Sequence, residues 1–289
     1  MELSREQEAA QWIYAQVIRP FVVANQFNRI AGLDDATIFD EPLVGIADGD
    51  DPLFAELKTV IAPTHLTPRE ALAAGLGKDA ADLPQRLSVV SWILPISAAT
   101  RRSNRRCTRQ PSRRWAYTRW YGEMFNEALR RHVVHMLTDP GCPTVAPVLE
   151  SYFAVEKAST DPKAPYSNWS ERHVAYAAGL GSFSLNDGLI TERGIAHRCG
   201  SVVTTVPLPP SHRTPGLRSN CLHFATGKCM VCATRCPVGA ITEHGHDKQK
   251  CREYTDRELS KLKKRYNVGV AGCGLCQTGV PCEFHNPTR

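Results

Sequence analysis

The 289-residue chain lacks both a long apolar run and a secretory start. Its longest apolar stretch, residues 87–99, is broken by serines and by Pro95, and it is shorter than the roughly 20 residues that a membrane span needs. Residues 1–4 contain no basic region leading into an apolar segment. We therefore expect a soluble, cytoplasmic protein that does not bind a membrane.

Acidic residues are missing between Asp82 and Glu123. The chain has a formal net charge of +6, and this window contributes strongly to it through an arginine-rich segment, residues 101–119, predicted to be a loop. Such a segment can bind phosphates and suggests tRNA as a partner, whereas a solvated loop explains the same charges. The arginines are Arg101, Arg102, Arg105, Arg106, Arg109, Arg113, Arg114 and Arg119.

A Gly-x-Gly-x-x-Gly fingerprint is also missing, which argues against a dinucleotide site. Cysteine, in contrast, is abundant, and eight of the 11 cysteines lie in residues 221–282. Cys229-x2-Cys232-x3-Cys236-Pro237 resembles the bacterial ferredoxin spacing, in which the fourth cysteine binds the other cluster of a pair. Cys273-x2-Cys276-x5-Cys282 repeats this design with a longer last spacer.

Eight thiolates are enough for two [4Fe–4S] clusters. If the ligands cross as in ferredoxins, one cluster binds Cys221, Cys229, Cys232 and Cys282, and the other binds Cys236, Cys251, Cys273 and Cys276. Zinc knuckles and disulfides are the alternatives. Pro237 and the small apolar residues 238–241 favour clusters, because such a turn packs against a cluster and shields it. We interpret Cys142 and Cys199 as inert buried thiols, and Cys107 as a thiol with a lowered pKa.

The remaining pattern predicts an α/β (α+β) fold in two parts. Residues 1–205 alternate strands with helices and form one domain, and residues 206–289 form a cluster module after a proline-rich linker. Strands are predicted at residues 43–47, 87–94, 144–148 and 201–206. Helices are predicted to begin at Ser4, Thr67 and Ser170 and to span residues 117–136.

Residues 171–208, followed by the cysteines, resemble the corrinoid-dependent iron–sulfur reductases, a superfamily of reductive dehalogenases and epoxyqueuosine reductases. The matching residues are Glu171-Arg172, Ala178-Gly179-Leu180-Gly181, Asp187-Gly188-Leu189-Ile190-Thr191, Arg198 and the run from Gly200 to Leu208. The match covers roughly the C-terminal 120 residues, and its order and spacing are more specific than either half alone.

The resemblance implies a nitroreductase-like layered domain followed by a ferredoxin-like module with two [4Fe–4S] clusters. It implies a base-off cobalamin reduced by the clusters, which agrees with the missing Asp-x-His-x-x-Gly motif that supplies a histidine ligand elsewhere. The implied cofactor-binding residues are Gly179, Gly181, Ser182, Ser201, Val203 and Thr204. A helix C-cap explains the two glycines equally well.

The sequence departs from the epoxyqueuosine reductases, which have an acidic proton donor shortly before Glu171-Arg172 and a C-terminal repeat domain. Here that place holds Tyr166, and the nearest carboxylate is Asp161. Dehalogenases of the superfamily use a tyrosine as the acid, so we predict Tyr166 and Arg198 as catalytic residues. A surface aromatic is the alternative for Tyr166.

These observations predict a reductase that cleaves a carbon–heteroatom bond of a small molecule. Its clusters would receive electrons from a ferredoxin or flavodoxin-type donor, and a side-chain acid would donate a proton. The first alternative is an epoxyqueuosine reductase that acts on tRNA. The second is a two-cluster electron-transfer protein, or an activase that reduces the corrinoid of a partner and binds no cobalamin itself.

Overall fold

A computed structural model describes residues 3–30, 33, 36–157 and 165–289 of the chain. Its α-helices are α1 (Arg5–Trp12), α2 (Arg19–Ala24), α3 (Pro52–Val60), α4 (Pro68–Leu76), α5 (Ala98–Arg105), α6 (Arg113–Thr138), α7 (Glu171–Ala177), α8 (Leu222–Thr226), α9 (Val231–Thr234), α10 (Lys248–Glu258) and α11 (Ser260–Tyr266). A π-helical segment, Ile13–Ile18, joins α1 to α2. None of the described helices is long and apolar enough to cross a membrane.

The strands are β1 (Leu43–Asp48), β2 (Ser88–Pro95), β3 (Thr144–Val145), β4 (Val155–Lys157), β5 (Pro165–Ser167), β6 (Gly181–Phe183), β7 (Leu189–Thr191), β8 (His197–Thr204), β9 (Ile241–Thr242) and β10 (Gly245–His246). Four of them form the main sheet in the order β1-β2-β8-β3, and all its pairs are antiparallel. The mixed helix-and-sheet class is therefore confirmed, and the antiparallel sheet belongs to its α+β form.

Helices cover both faces of the main sheet. Successive residues of a strand point to opposite faces, so each strand contributes side chains to both layers. On one face, Val90 and Trp92 pack with residues of the π segment and of α6. On the other face, Val89 and Val203 pack with residues of α3, α4 and α7. All eight residues of β2 are buried, as expected for a strand at the centre of such a layered core.

Local sequence signals predicted the positions of most of these elements correctly. Ser4 and Thr67 each form a capping box at the start of α1 and α4, and Gly77 ends α4 in the left-handed conformation. The strands predicted at 43–47 and 87–94 correspond to β1 and β2. The strand predicted at 201–206 lies earlier in the chain, at His197–Thr204.

The prediction of an arginine-rich loop is wrong for most of its length. Residues 98–105 form α5, and residues 113–119 are the first two turns of α6. The segment is ordered by its contacts with the C-terminal end of the chain. Arg105 forms an ion pair with Glu283 at 2.6 Å, and Asn104 donates a hydrogen bond from Nδ2 to Thr278 Oγ1 at 3.0 Å.

Candidate functional site

One of the two predicted ligand sets lines a single cavity. Cys236, Cys251, Cys273 and Cys276 surround a cavity of about 280 Å³, whose wall opposite the cysteine segment consists of residues from α6, α7 and β8. Burial, followed by neighbouring cysteines of both sets, raises the pKa of the Cys276 thiol well above its usual value. We call this space the Cys251 cavity.

The other ligand set lines a second cavity. Cys221, Cys229, Cys232 and Cys282 share it with Leu185, Asn186 and Ile190, and its free volume is only about 20 Å³. Burial and then repulsion from Cys232, Cys221 and Cys229 raise the pKa of Cys282 to about 12. We call this space the Cys221 cavity.

The chemistry of both cysteine sets suits a bound metal cluster. Burial raises the pKa of Cys232 and of Cys273 to about 11, so these thiols stay protonated unless a bound metal displaces their protons. The Ala240 amide already donates a hydrogen bond to Cys236 Sγ at 3.2 Å, as suits a thiolate ligand. In the described part of the chain, no group of three or more His, Cys, Asp or Glu side chains is arranged to hold a single metal ion.

Arg198, one of the two predicted catalytic residues, lies in the wall of the Cys251 cavity. Its guanidinium contacts Glu123, which also pairs with Arg130 at 3.1 Å. Arg130 is almost fully buried and bridges to Glu171 at 3.0 Å. Buried charges stay ionised only when they are paired in this way, so the network fixes Arg198 at the cavity wall.

Ser201, Val203 and Thr204, predicted to bind the cofactor, lie inside the sheet on β8 and are fully buried. Ser201 donates from Oγ to Glu171 Oε2 at 2.6 Å, and Thr144 donates to Thr204 Oγ1 at 2.8 Å. Val203 packs in the core against helices. These three residues line neither of the two cysteine cavities, nor the larger cavity that Gly179 lines.

Gly179, Gly181 and Ser182, the other three predicted cofactor residues, line a larger cavity of about 710 Å³. This volume lies within the usual range for ligand sites. The opposite wall includes Gly45, Tyr14 and the 209–211 segment. Ser219, which also lines this cavity, has a buried Oγ with no hydrogen-bond partner among the described residues. We call this space the large cavity.

The two glycines are required by the chain itself. A Cβ atom at Gly179 would lie 2.4 Å from the His212 carbonyl oxygen, and one at Gly181 would lie 2.3 Å from the Ile190 carbonyl oxygen. Gly179 also has φ of +73° directly after α7, which is the C-cap arrangement considered above. Their lack of a side chain is thus explained by close backbone contacts, before any ligand is considered.

Tyr166, the second predicted catalytic residue, lies on β5, which pairs with β4. Its hydroxyl donates a hydrogen bond to Glu156 Oε2 at 2.9 Å. It lines none of the three cavities, and the structure does not bring it next to Arg198. Asp161 lies outside the described residues.

The three cavities follow one another through shared or adjacent residues. Asn186 lines both cysteine cavities, and its Nδ2 donates to the Cys276 carbonyl at 2.8 Å. Asn220 lines the large cavity directly before Cys221, which lines the Cys221 cavity. Neither asparagine was predicted from the sequence. Asn186 directly precedes the motif that begins at Asp187, and Asn220 directly precedes Cys221, and these positions are the signals that would have pointed to them.

Cys142 and Cys199, predicted to be buried thiols, are both only partly buried in the structure. Burial raises the pKa of Cys199 to about 12, as expected for an inert thiol. Hydrogen bonds to Asp187 and then to Cys251 raise the pKa of His246 to about 9, which favours a positive charge at the Cys251 cavity. The pKa of Cys107, predicted to be lowered by the surrounding arginines, is instead raised, because burial outweighs Arg235.

Comparison with known proteins shows sequence similarity to epoxyqueuosine reductases. The enzyme of Escherichia coli K12 is 30% identical over 118 residues, which cover 38% of this chain and 29% of the relative. That of Vibrio cholerae is 31% identical over 118 residues, 38% of this chain and 30% of the relative. The chain therefore spans less than a third of the length of these relatives. No family model matches it.

The fold is similar to that of a dehalogenase. The solved structure of the catabolic reductive dehalogenase NpRdhA matches 84% of this chain and 30% of that protein, with a TM-score of 0.51 and 14% sequence identity. At 14% sequence identity, this structural match shows a shared fold alone. The sequence similarity to epoxyqueuosine reductases, over 118 residues, confirms the resemblance to that family.

Proposed function

We propose that the chain is an oxidoreductase in which two [4Fe–4S] clusters carry electrons to an acceptor in the large cavity. One cluster is held by Cys236, Cys251, Cys273 and Cys276, and the other by Cys221, Cys229, Cys232 and Cys282. The observation that carries the proposal is that each predicted ligand set lines a cavity of its own. The similarity to oxidoreductases in sequence and fold supports it.

The order of the cavities supports a direction of electron flow. Asn186 separates the two cysteine cavities, and Asn220 and Cys221 separate the Cys221 cavity from the large cavity. Electrons would enter at the Cys251 cluster, pass to the Cys221 cluster and leave into the large cavity. The acceptor would lie between the nitroreductase-like domain, residues 1–205, and the ferredoxin-like module, residues 206–289, because both parts line the large cavity. The module would also hold the clusters.

The proposed acceptor is a corrinoid. A corrinoid supplies a redox-active cobalt centre for reductive cleavage of a carbon–heteroatom bond. The backbone of residues 179–182 and the hydroxyls of Ser182 and Ser219 would hold it, and the unpartnered Ser219 Oγ is the observation that fits a polar ligand there. Ser201, Val203 and Thr204 have no part in this proposal, since they are buried in the sheet.

The proposed substrate is a small molecule, and Tyr166 remains the proposed proton donor. Tyr166 gives its hydrogen bond to Glu156, which would have to release it for proton transfer. Arg198 lines the Cys251 cavity, so its proposed role is to stabilise the negative charge that a cluster would carry there. The Tyr166→Phe variant should keep its clusters and lose turnover.

Cobalamin binding tests the corrinoid proposal. Protein loaded with clusters should bind one cobalamin per chain in equilibrium dialysis, and the cobalt-to-iron ratio should be about one to eight. Ser219→Leu, which removes the unpartnered hydroxyl and fills part of the large cavity, should weaken cobalamin uptake and leave the iron content intact. Cluster-loaded protein without any cobalamin binding would leave the electron-transfer or activase alternative.

A second candidate function is favoured by sequence similarity, because the matching relatives are epoxyqueuosine reductases. In that case the substrate is tRNA, and exposed arginines next to α5 and α6 would bind its phosphates. Arg106→Ala combined with Arg109→Ala tests this function, since both side chains are exposed. Binding of a tRNA transcript should weaken and become less dependent on salt, whereas unchanged binding would favour the small-molecule substrate.

A further inference from the structure

Most of the net positive charge of the chain lies on two adjacent helices. Together α10 and α11 carry eight basic and three acidic residues, a net charge of +5, whereas the whole chain has +6. All eight basic side chains are exposed, and they are Lys248, Lys250, Arg252, Arg257, Lys261, Lys263, Lys264 and Arg265. Such a concentration produces a strong local field.

Helix α10 separates this charged surface from the Cys251 cavity. On its inner side, Cys251, Tyr254 and Thr255 line the cavity. Tyr254 and Leu262 of α11 also belong to a small apolar cluster that includes Cys273 and anchors both helices. An α-helix is about 10 Å across, so a molecule on the outer face would lie roughly one helix diameter from a cluster in the cavity.

Only part of the positive charge is compensated locally. Arg252 pairs with Asp256 at 2.7 Å, and Arg257 pairs with Glu258 at 3.1 Å. In the described part of the chain, Lys263, Lys264 and Arg265 have no carboxylate within ion-pair distance. These three side chains form the last turn of α11, where they also interact favourably with the helix dipole.

The basic surface continues onto the arginine-rich segment. The Tyr254 hydroxyl contacts the carbonyl oxygen of Arg109, which joins α10 to the connection between α5 and α6. The side chains of Arg106 and Arg109 in this connection are exposed. Arg109, one of the arginines predicted to bind tRNA, therefore adjoins α10 at the Cys251 cavity.

We propose that the outer face of α10 and α11 docks an acidic one-electron carrier protein, which reduces the Cys251 cluster. The inference rests on the proposed function. Each encounter transfers one electron from the reduced carrier to the oxidised cluster, and no bond is made or broken. Opposite charges steer such encounters and mainly raise the association rate. An electron carrier explains why the basic surface covers a cluster site, whereas binding of a nucleic acid needs no cluster behind the helix.

The rate of cluster reduction by an acidic flavodoxin hydroquinone tests the docking surface. In stopped flow at low salt, Lys263→Glu combined with Lys264→Glu should lower the second-order rate constant by about tenfold or more and flatten its salt dependence. Lys263→Gln combined with Lys264→Gln should give a smaller fall in the same direction. Circular dichroism and iron content verify that both variants fold and hold clusters.

Two controls separate docking from other effects. Arg5→Glu combined with Lys78→Glu makes the same change of charge at exposed positions on other elements and should leave the rate unchanged. Photoreduced deazaflavin, a small reductant that needs no docking surface, should reduce all variants equally.

Three results would overturn the inference. The first is an equal flavodoxin rate in the α11 variants and the wild type. The second is a loss of tRNA-transcript binding with an unchanged flavodoxin rate, which would assign the surface to nucleic acid. The third is wild-type protein without cluster absorbance, which would overturn the proposed function itself.

Discussion

Gly179 and Gly181 leave room for other parts of the same chain. The carbonyl groups of His212 and Ile190 occupy the positions that side chains would take. A glycine motif that resembles a cofactor cradle therefore has a structural explanation, while Ser182 beside it still faces the large cavity. For this reason the glycines are poor positions at which to test cofactor binding, and Ser182 or Ser219 is a better one.

Gly181→Ala should destabilise the protein by about 1–3 kcal/mol, because the new methyl group would press against the backbone of β7. Ser182→Ala, a change at the neighbouring position, removes only the hydrogen bond that the Asn220 amide donates to the Ser182 hydroxyl, which costs about 1 kcal/mol, and should destabilise less. Thermal unfolding of both variants measures the difference. Equal stability of Gly181→Ala and the wild type would contradict the close contact.

His65 gives a pH prediction at the same scale. Burial first, and then Lys58, lower its pKa to about 4, and its Nε2 accepts a hydrogen bond from the Ser170 amide at 3.1 Å. The unfolded chain therefore binds more protons than the folded one between about pH 4 and 6.5, so stability falls as pH falls through that window.

At pH 5 we expect His65 to account for a loss of roughly 1–2 kcal/mol relative to pH 7. His65→Gln, which keeps an acceptor but does not titrate in this range, should show a smaller pH dependence of the unfolding free energy. Denaturant unfolding at the two pH values provides the measurement. An identical pH dependence in wild type and variant would contradict the assignment.

At the scale of elements, α5 holds the C-terminal end of the chain in place. Glu283 is almost fully buried, and it pairs with Arg105 at 2.6 Å and with Arg101 at 3.5 Å. The preceding residue, Cys282, is a proposed cluster ligand whose carbonyl accepts a hydrogen bond from the Ile195 amide at 2.8 Å. Part of the arginine-rich segment thus has a structural role that charge alone does not reveal.

Glu283→Gln should destabilise the protein by about 1–3 kcal/mol, because Arg105 loses its carboxylate partner and Arg101 keeps only the longer contact with Asp40 at 4.0 Å. It should also reduce the iron bound at the Cys221 cluster, since Cys282 is its neighbour. The exposed pair of Glu6 with Arg86 provides the control, and Glu6→Gln should have no measurable effect. Equal effects of the two substitutions on stability would show that the buried ion pairs of Glu283 stabilise the protein no more than the exposed pair does.

Comparison of elements also explains what the sequence can predict. Signals that act within a few residues, such as the capping boxes of Ser4 and Thr67 or the apolar run of β2, placed their elements correctly. The helix α5 was missed because its order depends on Glu283 and Thr278, which are far away in the chain. Likewise, Ser201 lies within a family motif, but only its register in the sheet shows that Glu171 and Trp169 bury it.

At the scale of the whole molecule, the cysteine spacing was the most informative part of the sequence. The crossed assignment of ligands groups distant residues such as Cys221 with Cys282, and the same groups line separate cavities in the structure. The large cavity and its relation to Cys221 could not be predicted in the same way, because its walls come from α1, β1, β6 and the 209–220 segment. The proposed direction of electron flow depends on this arrangement.

The most direct test of the account is the iron and acid-labile sulfide content of anaerobically prepared protein, measured together with its visible absorbance. The account predicts about eight iron and eight sulfide per chain with broad cluster absorbance. Cys229→Ser and Cys273→Ser should each damage a different cluster. Stoichiometric zinc without visible absorbance, or a set of disulfides without bound metal, would contradict it.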